Sequence, residues 1–184
     1  MDTYCKVAAC TLYTSKTPIT AADLLNDRVL PMLEGEGVDL LRILTDRGSE
    51  FCGRPERHDY PLFLAVNDID HSRTKAYSPP TNGICEHFHR SVKEEFYEIT
   101  SRKKVYSDRE TLQADLDRWV NQYNTERTHQ GKMCCGRTPM QTLREAHHLC
   151  NEKAAELNSS DNGTTVRADA CQIGSRLSHI SSWM

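Results

Sequence analysis

The sequence predicts a mixed α/β domain, on three observations. Leu40, Leu41, Ile43 and Leu44 form a nearly continuous apolar run after Gly35 and Gly37, the pattern of a strand buried on both faces. Phe88, Val92 and Phe96 recur along one helical face after Ile84. Leu112, Leu116, Trp119, Val120 and Tyr123 repeat the same spacing further on, most simply as core.

In chain order, Val7 to Tyr13 reads as a strand, with Val7, Ala9 and Thr11 alternating against Ala8, Cys10 and Leu12. Thr20 is a candidate N-cap for a helix from Ala21 to about Leu33, whose apolar face is Leu24, Leu25, Val29, Met32 and Leu33. Pro31 is expected to distort its last turn, and Gly35 and Gly37 end it. The strand that follows delivers Asp46 at its C-terminal end, where Arg47 and Gly48 break it, so the carboxylate faces an opening. Tyr60 to Val66 is a short apolar stretch that periodicity alone leaves open between helix and strand. Ile69 to Ala76 suits a strand with His71, Arg73 and Lys75 on one face.

Ser78 to Gly83 is turn chemistry, and Glu86 falls in the first turn of the helix opened by Ile84. Ser107 or Asp108 caps the helix that runs to about Asn124, Arg127 to Lys132 is a polar connection, and Thr138-Pro139 opens a last helix through Leu149. The domain expected is 1–149, with 150–184 a disordered tail in which SSDNGTT and the residues after it show no periodicity.

A chain of 184 residues suits one domain with extensions. Its 38% hydrophobic and 27% charged content is that of a water-exposed globular protein, no run is long enough to span a bilayer, and no membrane or secretory segment opens it. A cytoplasmic, bacterial location is expected, with the eight cysteines reduced thiols. The net charge of −3 argues mildly against nucleic acid, but Arg73, Lys75, Arg90, Lys93, Arg102, Lys103 and Lys104 gather in and beyond the motif region, opposite an acidic stretch from Asp23 to Asp39.

Two carboxylates at the ends of separate elements, Asp46 and Glu86, are a plausible pair of hard oxygen ligands for a divalent metal. Each alone has a plainer reading: Asp46 as the cap of a turn, Glu86 as a first-turn carboxylate favoured by the helix dipole. Cys85, His87 and His89 raise zinc as an alternative, with His147, His148 and Cys150 as further ligands only if the fold brought them close.

The segments LTDRGSEF, SPPTNGICEHFHRSVKEEF and YNTERTHQGK resemble the integrase-type catalytic core of bacterial insertion-sequence transposases, relatives of retroviral integrase with an RNase H-like fold. The resemblance runs from roughly residue 4 to residue 143. It implies DNA strand transfer by an Asp, Asp, Glu triad holding two Mg2+ (or Mn2+) ions, with Asp46 as the second Asp and Glu86 the Glu, forty positions later. It further implies a helix over residues 60–66, an edge strand at residues 7–13, Asn82 at the site and Gly83 permitting close packing. Arg73, Lys75, Arg90 and Lys93 are the expected DNA contacts. The partners implied are DNA and a full-length transposase or a second copy of the chain.

The resemblance also implies that the first Asp and the first two strands precede this sequence, Asp2 matching a turn after the second strand and not a catalytic position. An incomplete sheet that exposes backbone groups beside the Asp46 strand is therefore expected, and with it a chain inactive by itself. Pro80, His87 and Thr128 stand where related sequences are expected to carry Gln, Arg and Pro. The competing readings are a non-catalytic fragment that binds DNA or a transposase, and a small zinc-binding protein.

Overall fold

The computed structural model describes residues 1–53, 58–74 and 83–160, the last of these from 150 onward as helix backbone alone. Lys75, Asn82 and the turn chemistry of 78–82 lie outside the described residues, as does the chain from 161 to 184.

The first helical stretch begins earlier than Thr20. Thr17 is its N-cap and Pro18 takes the first position, where its missing N–H removes no bond; Thr17 and Thr20 close a reciprocal capping box. Helix α1 (Pro18–Leu24) runs into a π-helical turn (Leu25–Val29) and then α2 (Leu30–Glu34). The distortion expected of Pro31 lies one turn before it, where Leu30 N–H reaches Leu25 O. A widened turn there keeps the carbonyls clear of the proline ring, so the helix continues to Glu34. Leu24, Leu25, Val29 and Leu33 are all buried. Gly37, at φ +70, then turns the chain, with Val38 N–H bonded to Leu33 O.

Strand β1 (Arg42–Thr45) pairs in parallel with β2 (Asp70–Arg73), in the register Arg42 to Asp70, Ile43 to His71, Leu44 to Ser72 and Thr45 to Arg73. Helix α3 (Asp59–Val66) connects them, as the resemblance implies. The strand is less buried than its apolar run suggests: Ile43 and Thr45 are 1% exposed, whereas on the other face Arg42 is exposed and Leu44 half-buried, so only one face is fully covered. These two strands are the sheet among the described residues.

The stretch 7–13 is extended but is not a ladder strand. Its polar backbone is met by amide side chains of a helix. Ala8 N–H donates to Asn124 Oδ1 at 2.9 Å and Ala8 O accepts from Asn124 Nδ2 at 2.8 Å. Four residues on, Gln113 repeats the clasp, accepting from Leu12 N and donating to Cys10 O. This replaces the strand expected from the alternation and the edge pairing implied by the resemblance: both sides of the segment are occupied, Val7 in one apolar cluster and Ala8 in the other.

Helix α4 (Gly83–Ser91), a second π-helical turn (Val92–Tyr97) and α5 (Glu98–Lys103) form one run. Phe88, Val92 and Phe96 are buried along it as their spacing predicts. Helix α6 (Arg109–Thr125) is capped by Asp108, which accepts from Thr111 N at 2.6 Å. It supplies Leu116, Trp119, Val120 and Tyr123 to the same cluster, with Phe88 edge-on to Tyr123 at 5.1 Å. Helix α7 (Pro139–Ser160) extends beyond Leu149, so part of the stretch expected as tail is helical. The apolar core thus has two halves: one around α1, α2, β1 and α3, the other between the α4 run and α6.

Candidate metal and DNA-binding site

Asp46 follows β1 directly, where the strand's alternation stops. Its Oδ1 accepts from Gly48 N at 2.8 Å, closing a short turn that fixes the carboxylate's direction. Among the described residues nothing donates to Oδ2, and Asp46 is half-buried, so this oxygen is available to a ligand. The loop behind it is folded tightly. Phe51 N and Cys52 N both bond Gly48 O at 3.0 Å, and Phe51 packs edge-on against Tyr60 of α3 at 5.2 Å.

Glu50 sits beneath the turn. It is 2% exposed and pairs with Lys16 at 2.8 Å, joining the loop to the chain just before α1. A side chain on Gly48 would meet the Glu50 carboxylate at 2.4–2.6 Å, so any other residue there displaces that carboxylate from its place beside Lys16. His58 is buried too, its Nε2 donating to Ser49 O at 3.0 Å, and its ring lies over Gly53.

Thr45, the last strand residue, donates its hydroxyl to Asp46 O at 3.0 Å. His71 of β2 approaches the same hydroxyl through Nε2 at 2.8 Å and meets the Tyr60 ring edge-on at 5.6 Å. Burial lowers the pKa of His71 first, with Arg73 and His58 adding to the effect, so the ring is neutral at pH 7. Neither contact has a local signal. Thr45 and His71 are 26 positions apart and meet only through the parallel register.

Glu86 has a different setting. It lies in the first turn of α4 and is exposed, while its neighbours Cys85 and Phe88, 1% and 4% exposed, root the helix in the core. Among the described residues nothing lies within 4 Å of a Cβ built on Gly83, so the close packing expected at that glycine is not found. Arg73, Arg90 and Lys93 are exposed, and none forms an ion pair with a described carboxylate. By contrast Arg28, Arg42, Lys104, Arg127 and Arg144 are all paired.

Asp46 Oδ2 and the Glu86 carboxylate are hard oxygen donors and suit Mg2+ or Mn2+, which keep several waters and need few protein ligands. No group of three or more His, Cys, Asp or Glu stands together for a metal among the described residues. Asp2 does not offer a third carboxylate: it is buried, and its Oδ1 accepts from Tyr4 N, Cys5 N and Cys5 Sγ, which makes it a turn cap. For zinc, Cys85 is turned into the core while His87 faces out, so the two do not converge.

Residues 67–139 match the family described as Integrase core domain. The chain is 31% identical over 101 residues to a putative integrase ORF3 of Spiroplasma virus SpV1-C74, a match over 50% of this chain and 27% of that protein. It therefore spans about a quarter of the length of this curated relative. The catalytic core domain of BIV integrase superposes with a TM-score of 0.57 at 18% identity, covering 80% of this chain and 84% of that one. A chain of the simian T-cell lymphotropic virus intasome, solved in complex with PP2A regulatory subunit B56 gamma, gives a TM-score of 0.53 at 17% identity, over 72% of this chain and 42% of that one. Over residues 67–139 the chain is thus similar to integrase core domains, and its fold is that of the integrase catalytic core.

Proposed function

We propose that this chain serves DNA strand transfer of the integrase and transposase type, with Asp46 and Glu86 as ligands of Mg2+ or Mn2+. The observation that carries this reading is the Asp46 turn: Gly48 N holds one carboxylate oxygen and leaves the other to a metal, at the end of a strand in an integrase-like fold. Bound metal would polarise a phosphoryl oxygen and lower the pKa of a water or a terminal hydroxyl. The protein's share is to orient the two carboxylates and to hold the DNA. Arg73, Arg90 and Lys93, exposed and free of described carboxylate partners, would meet backbone phosphates, joined by Lys75 and Asn82, which lie outside the described residues.

The finer reading is that the chain alone neither cleaves nor joins DNA. The triad implied by the resemblance has two members here, and the described residues offer no substitute for the third. The exposed basic residues favour a second reading, a fragment that binds DNA, a transposase or a second copy without metal. No helix among the described residues is long and apolar enough to cross a membrane.

The deciding experiment measures DNA binding and strand transfer with the purified chain in Mg2+, Mn2+ and chelator. Binding of duplex DNA that weakens steeply with salt, without strand transfer, is expected. Strand transfer by the chain alone sinks the inactive reading, and no DNA binding at low salt sinks both. Asp46→Asn and Glu86→Gln should each abolish Mn2+ binding while leaving metal-free DNA binding intact.

A further inference from the structure

We infer that His71 is a positioning residue for Asp46, acting through the Thr45 hydroxyl. The inference rests on the reading of Asp46 as a metal ligand, but the geometry behind it does not.

The Thr45 hydroxyl has one proton, and Asp46 O accepts it at 3.0 Å. With that proton committed, the 2.8 Å contact between Thr45 Oγ1 and His71 Nε2 requires the imidazole to donate. The ring is thereby set in its Nε2–H form, and a relay runs from His71 through Thr45 to the Asp46 backbone. Tyr60, 1% exposed and edge-on to the ring, fixes its plane from the helix side. Thr45, 1% exposed, has no water to replace either contact.

The relay acts on the one peptide unit whose orientation aims the carboxylate. Asp46 O accepts from the Thr45 hydroxyl at 3.0 Å and from the Cys52 thiol at a longer 3.9 Å, and Asp46 Oδ1 accepts from Gly48 N, so the hydroxyl is the shorter of the two holds on the carbonyl. Removing the hydroxyl leaves the Asp46 carbonyl with the long Cys52 thiol contact alone, and the turn closed by Gly48 N loses its firm base. The strand partner is also set correctly. Thr74 N donates to Thr45 O at 2.9 Å and Arg47 Nε to Thr74 O at 3.1 Å, so β2 grips the chain on both sides of Asp46 while His71 reaches across from its middle. Polar groups that orient a ligand from behind in this way are commonly worth about 10–100-fold in metal affinity.

The test uses the full chain and four variants: His71→Ala, His71→Gln, Thr45→Val and Thr45→Ser. A glutamine amide reaches the Nε2 position and can still donate, and serine keeps the hydroxyl. Two readouts are taken at pH 7, the hydrogen-exchange rate of the Gly48 amide without metal and the affinity for Mn2+.

His71→Ala and Thr45→Val are expected to speed Gly48 exchange about tenfold and to weaken Mn2+ binding about 10–100-fold, with His71→Gln and Thr45→Ser within about threefold of the parent. Ring nitrogen spectra of the parent should show the Nε2–H form. The inference is overturned if the Gly48 amide is unchanged in folded His71→Ala, or if His71→Gln behaves as His71→Ala, which would make the ring packing alone. If the parent binds no Mn2+, the metal reading of Asp46 fails, and Gly48 exchange still decides the positioning role. Should His71→Ala fail to fold, Thr45→Val against Thr45→Ser makes the same decision.

Discussion

The two carboxylates of the candidate site are held by opposite strategies. Asp46 stands on a loop that is fixed residue by residue: a backbone amide on its side chain, a hydroxyl on its carbonyl, the buried Glu50 paired with Lys16 beneath it and a glycine packed against that carboxylate. Among the described residues Glu86 has none of this. Its carboxylate is exposed at the start of a helix, and its position is set by what the helix buries several residues later. The lesson is that an irregular segment needs a bond for each group it must aim, whereas a helix fixes every side chain along it once two or three apolar residues are seated.

The largest expected effect tests the helix side. Phe88 packs on Tyr123 and Trp119, so Phe88→Ala should cost about 3–5 kcal/mol in urea unfolding. Loss of less than about 1 kcal/mol would mean that Glu86 is positioned by something other than this packing. The next tests the loop side. Gly48→Ala forces the Glu50 carboxylate out of its place and should destabilise the chain by about 1–3 kcal/mol. The matched change at the other carboxylate has the opposite sign: Gly83→Ala meets nothing described and should stabilise the α4 run by about 0.4–1 kcal/mol. Equal effects from the two glycine substitutions would erase the contrast.

The smallest effect is one of pH. His129 meets the Tyr123 ring edge-on at 5.0 Å, and its pKa is lowered by burial first and then by Arg127, His87 and Lys6. A His whose folded pKa lies below its unfolded value of 6.5 takes up protons on unfolding, so stability is full above that value and declines as pH falls through it. His71 adds to the same trend. Urea midpoints at pH 7.5 and 5.5 should therefore differ, and His129→Gln should narrow the difference.

The places of Asp46 at a strand end and Glu86 in a first helical turn were legible because their surroundings are local words: an apolar run broken by Arg47-Gly48, and a carboxylate two residues ahead of the helix's first core phenylalanine. The helices were legible for the same reason, since Phe88, Val92 and Phe96 announce a face by spacing alone. What escaped is whatever depends on two distant segments meeting. The alternation of residues 7–13 predicted a ladder partner, and the partner is a pair of amide side chains more than a hundred positions away. Thr45 and His71 likewise carry no pattern until β1 and β2 are in register. Pro31 was read as damage to its own turn, whereas the helix accommodates it by widening the turn before.

The Gln113 and Asn124 clasps also make α6 a ruler. The two amides lie eleven residues apart, about three full helical turns, so both point to one side of the helix some 16 Å apart. The extended segment they grasp spans about 13 Å between Ala8 and Leu12, close enough for both grips at once. One residue added to or deleted from the interval would swing an amide about 100° around the axis and release one end of the segment. Length in this helix is therefore a specified quantity, and natural variation in chain length should collect in the polar connection from 126 to 138.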